Sequence, residues 1–198
     1  MKPAALLTTL FLCAIAALHV LRLIFQVEVS IGGIVFPMLS SVIAALVVGA
    51  LAPILQVAGW LSPIATLGAP VFGALGTVAA VVGIATTLWA QESMGDSWRI
   101  GVDAGETTQL VDRGMFGWVR NPIFTAMLIF GAGVALMAPN PLAIIGFVLL
   151  LTSIELQVRF VEEPYLHRTH SERYRDYVGR VGRFVPRIGR SPVRGPSA

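Results

Sequence analysis

Four ionisable residues close a long apolar run: Glu155, Arg159, Glu162 and Glu163 in LLLTSIELQVRFVEEPYL (149–166). They stand at i, i+4, i+7 and i+8, which on a helix places all four near one face. Glu155 lies inside the apolar run, about 6 Å deeper than Arg159 at about 1.5 Å per residue. An i,i+4 ion pair at a solvated helix end is the plain reading, and for Glu162 alone it suffices. A charged row that continues into a membrane span points instead to function, because ionisable groups there are costly and need partners. The chemistry open to such a row is charge recognition and, for the deepest carboxylate, proton uptake.

A second candidate is GWVRNPIFTAM (117–127). Asn121 suits an N-cap, and Pro122 suits the first helical position, where its missing N–H costs little. The triplet Arg120-Asn121-Pro122 therefore marks a helix start. Free N–H groups and the positive dipole end would face outward with Arg120 beside them, a setting suited to a carboxylate or phosphate. A plain helix start with a positive-inside arginine fits the segment equally well. His167 and His170, with Glu163 nearby, make a weak metal pattern. No helical HExxH or second ligand cluster supports it, and no metal is assigned.

Apolar helices must position these residues. The chain has 198 residues, 56% hydrophobic and 13% charged, with a mean hydropathy of +0.78. Soluble domains carry about 25% charged residues, so the composition indicates an integral membrane protein. Crossing the hydrocarbon core takes about 20 apolar residues, and five stretches qualify: 4–25, 34–58, 64–90, 122–138 and 141–159. The run following Lys2 continues through His19 to Phe25, too long for a signal-peptide core, and reads as a retained span. The last two stretches are separated only by Ala138–Pro141 (APNP), which predicts an antiparallel helical hairpin. In the third, Ala69, Gly73, Gly76 and Ala80 recur at spacings of three and four, which lets helix backbones approach closely.

Charge gives the orientation. With five spans, Arg22, Arg99, Arg113, Arg120 and the nine arginines from Arg159 onward share one side, against Lys2 on the other. The positive-inside rule places the 91–121 loop and the tail in the cytoplasm and the N-terminus outside. The basic tail suits an anionic membrane face, and no segment resembles a nucleic-acid motif. Cys13 is the only cysteine, so an intramolecular disulfide, a CxxC zinc site and an iron–sulfur cluster are excluded. The long 91–121 loop, with its tryptophans, Met115 and Phe116, reads as an ordered lid or pocket wall. After Pro164, Tyr174, Tyr177, Val178 and Val181 at helical spacing predict an amphipathic helix on the membrane surface or folded over that loop.

Four blocks in order, QLVDRGMFGWVRNPIFTA, the hairpin around APNP, RFVEEPYL and HSERYRDYVGRVGRFVP, lie within residues 107–186. Together they resemble the isoprenylcysteine carboxyl methyltransferase and phospholipid methyltransferase families. The three N-terminal spans are generic. The resemblance implies a single all-α membrane domain over 1–198: three N-terminal spans in 1–90, then a cofactor-binding loop, hairpin and tail in 91–190. It implies S-adenosylmethionine as cofactor, contacted by the backbone of Gln109, Leu110 and Val111 and at the positions of Phe116, Asn121 and Phe124. Glu163 would belong to the same pocket, and Arg159 would face the acceptor's acidic or polar group. The cofactor's carboxylate would then meet the helix start at Asn121–Pro122, beside Arg120, and its sulfonium would lie near Glu163 or Glu162. Methyl transfer is an in-line displacement that gains from proximity and alignment. A carboxylate acceptor of isoprenoid type, the favoured substrate, needs no base, whereas a lipid amine would need one, with Glu155 the more buried candidate. The sequence departs from the family pattern in having Asn121 for His, Phe116 and Phe124 for Tyr, and Ala126 for Gly. Asparagine still caps and hydrogen-bonds, so binding is retained at that position.

Two other classes compete. One is a membrane reductase of sterol type that uses a nicotinamide cofactor, although HSERYRDYV departs from its usual ending. The other is a non-catalytic scaffold or small transporter, against which the 155–163 row argues. In every reading the bilayer is a partner, and for the methyltransferase the second partner is a lipophilic small molecule or lipidated substrate.

Overall fold

The structure is a computed structural model describing residues 29–31, 34–36, 40–94 and 110–190. The expected first span, Cys13, Arg22, Arg99, Gln109 and much of the 91–121 loop lie outside the described residues. Two three-residue strands, β1 (Val29–Ile31) and β2 (Ile34–Phe36), pair antiparallel with Val29 opposite Phe36. They flank the sequence Gly32-Gly33, a pair that two-residue hairpins favour. Four apolar helices come next: α1 (Ser40–Val57), α2 (Pro70–Met94), α3 (Pro122–Met137) and α4 (Pro141–Gln157). A polar helix, α5 (Glu163–Arg180), ends the fold.

The boundaries correct the expected second and third spans. Residues 34–36 are strand, and α1 starts at Ser40. A 3-10 turn, Ala65–Leu67, precedes α2, which starts where Pro70 can take the first helical position and runs on to Met94. The expected 122–138 and 141–159 spans match α3 and α4 closely. α2 and the helical run Pro141–Arg180, which widens at Val158–Glu162 and kinks at Ser171, are long and apolar enough to cross a bilayer. α2 keeps Leu75, Val78, Val82 and Trp89 exposed, an outer surface that suits lipid.

α2 and α3 cross with their backbones nearly touching. A Cβ on Gly76 would stand 2.6 Å from the Gly133 carbonyl oxygen, and one on Gly83 would stand 2.7 Å from the Phe130 nitrogen. The contact stripe is therefore Gly76, Ala80 and Gly83. Gly73, expected in it, has nothing within 4 Å of its Cβ position.

The helices alternate in direction, and Asn140 locks the turn end. It is fully buried, and its Nδ2 donates to the Gln56 Oε1 at 2.9 Å, the Ala138 oxygen at 3.0 Å and the Ala52 oxygen at 3.2 Å. Its Oδ1 caps α4 by accepting from the Ala143 N–H at 2.9 Å. One amide thus ties α1 to the hairpin. Asn140→Ala should cost about 1–3 kcal/mol, because it strips a cap and leaves buried acceptors unpaired; thermal melting in detergent measures it.

Candidate functional site

At the opposite end of the bundle, the start of α3 meets the α4–α5 junction and the tail. The junction is a π-helical turn, Val158–Glu162, closed by the Glu163 N–H donating to the Val158 carbonyl. Such wide turns insert one residue into a helix and rotate the residues downstream of it. The expected single row of charges is thereby broken up. Arg159 Nε pairs with Glu155 Oε2 at 2.6 Å on the exposed side, which corrects the expectation that Glu155 is the more buried carboxylate: its side chain is 34% exposed, against 16% for Glu163. Glu162 Oε1 turns back to accept from Gln157 Nε2 at 3.3 Å. Glu163 turns to Arg120 and Arg183. Pro164 sits in the first turn of α5, where it is tolerated.

Glu163 is the hub. Its Oε1 accepts from Arg120 Nη2 and from Arg183 Nε, both at 2.8 Å, and its Oε2 accepts from Arg183 Nη2 at 2.9 Å. The bonding to Glu163 raises the Arg183 pKa. Arg120 is only 6% exposed. Its Nη1 donates to the carbonyls of Val178 and Val181, and Nη2 also reaches the Gly189 carbonyl, each at 3.2 Å. Arg120 Nε remains buried with no partner among the described residues.

Backbone pairing completes the clasp. Val119 and Gly182 form a parallel bridge, with the Arg120 N–H donating to the Gly182 oxygen at 2.8 Å. The Thr125 hydroxyl donates to the Phe184 carbonyl at 2.9 Å. Gly182 has no room for a side chain, since a Cβ would collide with the Val185 carbonyl oxygen. Asn121 occupies the N-cap position of α3 but makes no side-chain cap bond. Its Nδ2 donates instead to the Arg183 carbonyl at 3.2 Å. The asparagine thus holds the tail and offers the first-turn amides of α3 no acceptor of its own.

The remaining candidates surround this clasp. Leu110 is buried with Tyr174, Tyr177, Val178 and Val181, so the tail helix folds over the loop. Val111 is half-buried beside it. Phe116 lies in a 3-10 turn, Gly114–Gly117, and its carbonyl accepts from the Tyr177 hydroxyl. Pro122 is buried, and Phe124 packs against the Val42, Leu150 and Ile154 cluster. His167 meets Tyr174 edge to face, with ring centroids 4.7 Å apart. Arg183 is the member of the clasp that sequence reasoning misses, although an arginine after Gly182 in VGRFVP is a visible signal.

Burial, reinforced by Glu163 at Tyr174 and by Tyr174 at Tyr177, pushes both phenols well above their usual range. Both therefore hold a proton more tightly folded than unfolded. Their contribution to stability is full below about pH 10, the unfolded value, and is lost as pH rises beyond it. Melting temperature should fall above that pH, and much less so in Tyr174→Phe/Tyr177→Phe protein; an alkaline melting series checks both.

Arg120 Nε, which has no partner among the described residues and belongs to the residue two before the first of α3, suits a carboxylate of the kind the amino-acid end of S-adenosylmethionine carries.

Comparison with known proteins gives two matches. The family described as phospholipid methyltransferase matches residues 71–173. Protein-S-isoprenylcysteine O-methyltransferase of Saccharomyces cerevisiae is 28% identical over 116 residues, which are 58% of this chain and 48% of that protein. The chain thus spans about half the length of that relative. No solved structure matches.

Proposed function

The chain belongs to the phospholipid methyltransferase family, a family of membrane methyltransferases, and we propose that it transfers a methyl group from S-adenosylmethionine to a lipophilic, membrane-resident acceptor. One observation carries the reading. The Arg120-Asn121-Pro122 start, the Glu162-Glu163 turn and the 182–189 tail are remote in sequence yet meet in one clasp around Arg120, whose Nε has no partner among the described residues.

In this reading Arg120 Nε and the first-turn amides of α3 hold the cofactor's carboxylate, with the backbone of Gln109, Leu110 and Val111 alongside. Phe116 and Phe124 flank it, Asn121 and Pro122 shape the helix start, Glu163 holds Arg120 and Arg183 in place, and Glu162 sets negative potential near the sulfonium. When bound, S-adenosylmethionine supplies a methyl whose C–S bond electrons pass to sulfur as the acceptor's lone pair forms the new bond. Arg159 orients the acceptor, and Glu155 takes the proton when the acceptor is an amine. The active site and tail face the cytoplasm, so the cofactor enters from water and the acceptor from lipid.

Binding to the native state alone raises the melting temperature by mass action. S-adenosylhomocysteine should stabilise the detergent-purified protein and NADPH should not; the reverse would favour the reductase. Arg159→Ala should abolish turnover and leave the response to S-adenosylhomocysteine intact. Equal loss of both would move Arg159 from the acceptor to the cofactor.

A further inference from the structure

Ser171, in the middle of α5, has φ 43° and ψ −112°. Residues with a Cβ rarely adopt this conformation, and it persists only where the surrounding structure enforces it. The kink divides α5 into a base, residues 163–170, and a second half that with the tail makes a strap, residues 172–190. The strap is gripped from the far side by the segment that leads into α3. Arg173 pairs with Asp112 at 3.4 Å, and the Tyr177 hydroxyl donates to the Phe116 carbonyl. The N–H groups of Arg120 and Asn121 donate to the Gly182 and Arg183 carbonyls at 2.8 and 3.2 Å. Arg183 also reaches back to Glu163 at the base.

The strap covers the donor assigned to the cofactor. The Arg120 side chain is 2% exposed, and its Nε is buried. Its guanidinium is held by the carbonyls of Val178, Val181 and Gly189, all three on the strap. A carboxylate in solution does not reach Nε while those carbonyls stay in place. A site enclosed in this way binds through the fraction of molecules in which the cover has moved. Two features make the cover movable. Opening releases the strain at Ser171, which offsets part of the bonding lost. The outermost grip, Arg173 with Asp112, has side chains 62% and 28% exposed, and exposed pairs of this kind contribute little.

We propose that residues 172–190 are a gate hinged at Ser171, which swings away from the start of α3 to admit the cofactor and closes again over it. The gate rests on the reading of Arg120 as the partner of the cofactor's carboxylate. Ser171 acts through its backbone: the closed strap is held by its bonds against the strain, and in the open strap the residue relaxes. The base keeps its helix, with Tyr165 buried. The Arg120 and Asn121 N–H groups lose their carbonyls when the gate opens, so they report on it from the other side.

Hydrogen exchange on the full chain in detergent micelles reads the gate, and the kinetics of S-adenosylhomocysteine binding read its use. Amides of 119–121 and 172–183 should exchange together, and faster than those of 163–169. Ser171→Gly takes the closed conformation without strain, so it should slow that exchange about fivefold. Asp112→Asn frees Arg173 and should speed it about twofold. The observed binding rate should level off with ligand concentration at the opening rate, and shift in the same direction in each variant. In Cys13→Ala protein, Asp112→Cys and Arg173→Cys joined by a short bis-methanethiosulfonate linker should stop binding, and dithiothreitol should restore it. The gate is overturned if 163–169 opens with the strap at one rate, or if Ser171→Gly exchanges as fast as the wild type. It is also overturned if the linked protein binds S-adenosylhomocysteine as quickly as the reduced one. A strap that opens alone and answers to both variants, in a protein that never binds S-adenosylhomocysteine, keeps the hinge and removes the cofactor reading at Arg120.

Discussion

Arg120→Ala should destabilise the protein by about 3–5 kcal/mol, chiefly because the carbonyls of Val178, Val181 and Gly189 lose a charged donor, while Glu163 keeps Arg183. The substitution removes four acceptor contacts at once: Glu163 and the carbonyls of Val178, Val181 and Gly189. The tail is then held to the α3 start by the Val119–Gly182 bridge and by the Asn121 and Thr125 bonds to the Arg183 and Phe184 carbonyls. S-adenosylhomocysteine should then no longer raise the melting temperature, because the Nε donor is gone. Glu163→Gln separates the two effects. It weakens the grip on Arg120 and Arg183 while leaving Arg120 Nε in place, so it should lose stability with a weakened but measurable ligand response. An Arg120→Ala protein that melts with the wild type and still responds would show that the clasp neither holds the tail nor binds the cofactor.

Gly133→Val should separate α2 from α3. A Cβ at Gly133 would stand 2.5 Å from the Ala80 nitrogen and 2.6 Å from the Gly76 oxygen, and neither backbone atom can yield without moving a helix. Overpacking costs about 1–3 kcal/mol where side chains can shift, and here the loss should reach the top of that range or exceed it. Gly131, two residues earlier in the same Gly-Ala-Gly, is the control. Its Cβ would meet the Leu150 and Phe147 side chains, at 2.7 and 3.4 Å. These can rotate, so Gly131→Ala should be much milder than Gly133→Ala. Parallel melts of the variants test the ordering, and equal losses would mean that the crossing is not the tight contact described.

The hairpin was legible because Pro122, Asn140 and Pro141 punctuate it chemically. A proline can begin a helix but not continue one, and asparagine caps. The meeting of the four blocks was legible only through resemblance. The π turn was not legible, because VRFVE has no residue that distinguishes a wide turn from an ordinary one, and the inserted residue redirects every charge after it. The role of Asn121 was also hidden. Its side chain had two available bonds, a local cap and a remote carbonyl, and only the position of Arg183 decides between them. Gly73 and Gly83 look alike in sequence, yet only Gly83 faces α3.

The clasp also sets an order on the making of the protein. Arg120 is synthesised 43 residues before Glu163 and 69 before Gly189. At about 5–20 residues per second, several seconds separate the arginine from its last partner. During that interval the arginine stands without the carboxylate and carbonyls that later hold it. A chain arrested before residue 182 would therefore lack a closed clasp. Completion of the site reports that translation has passed that point.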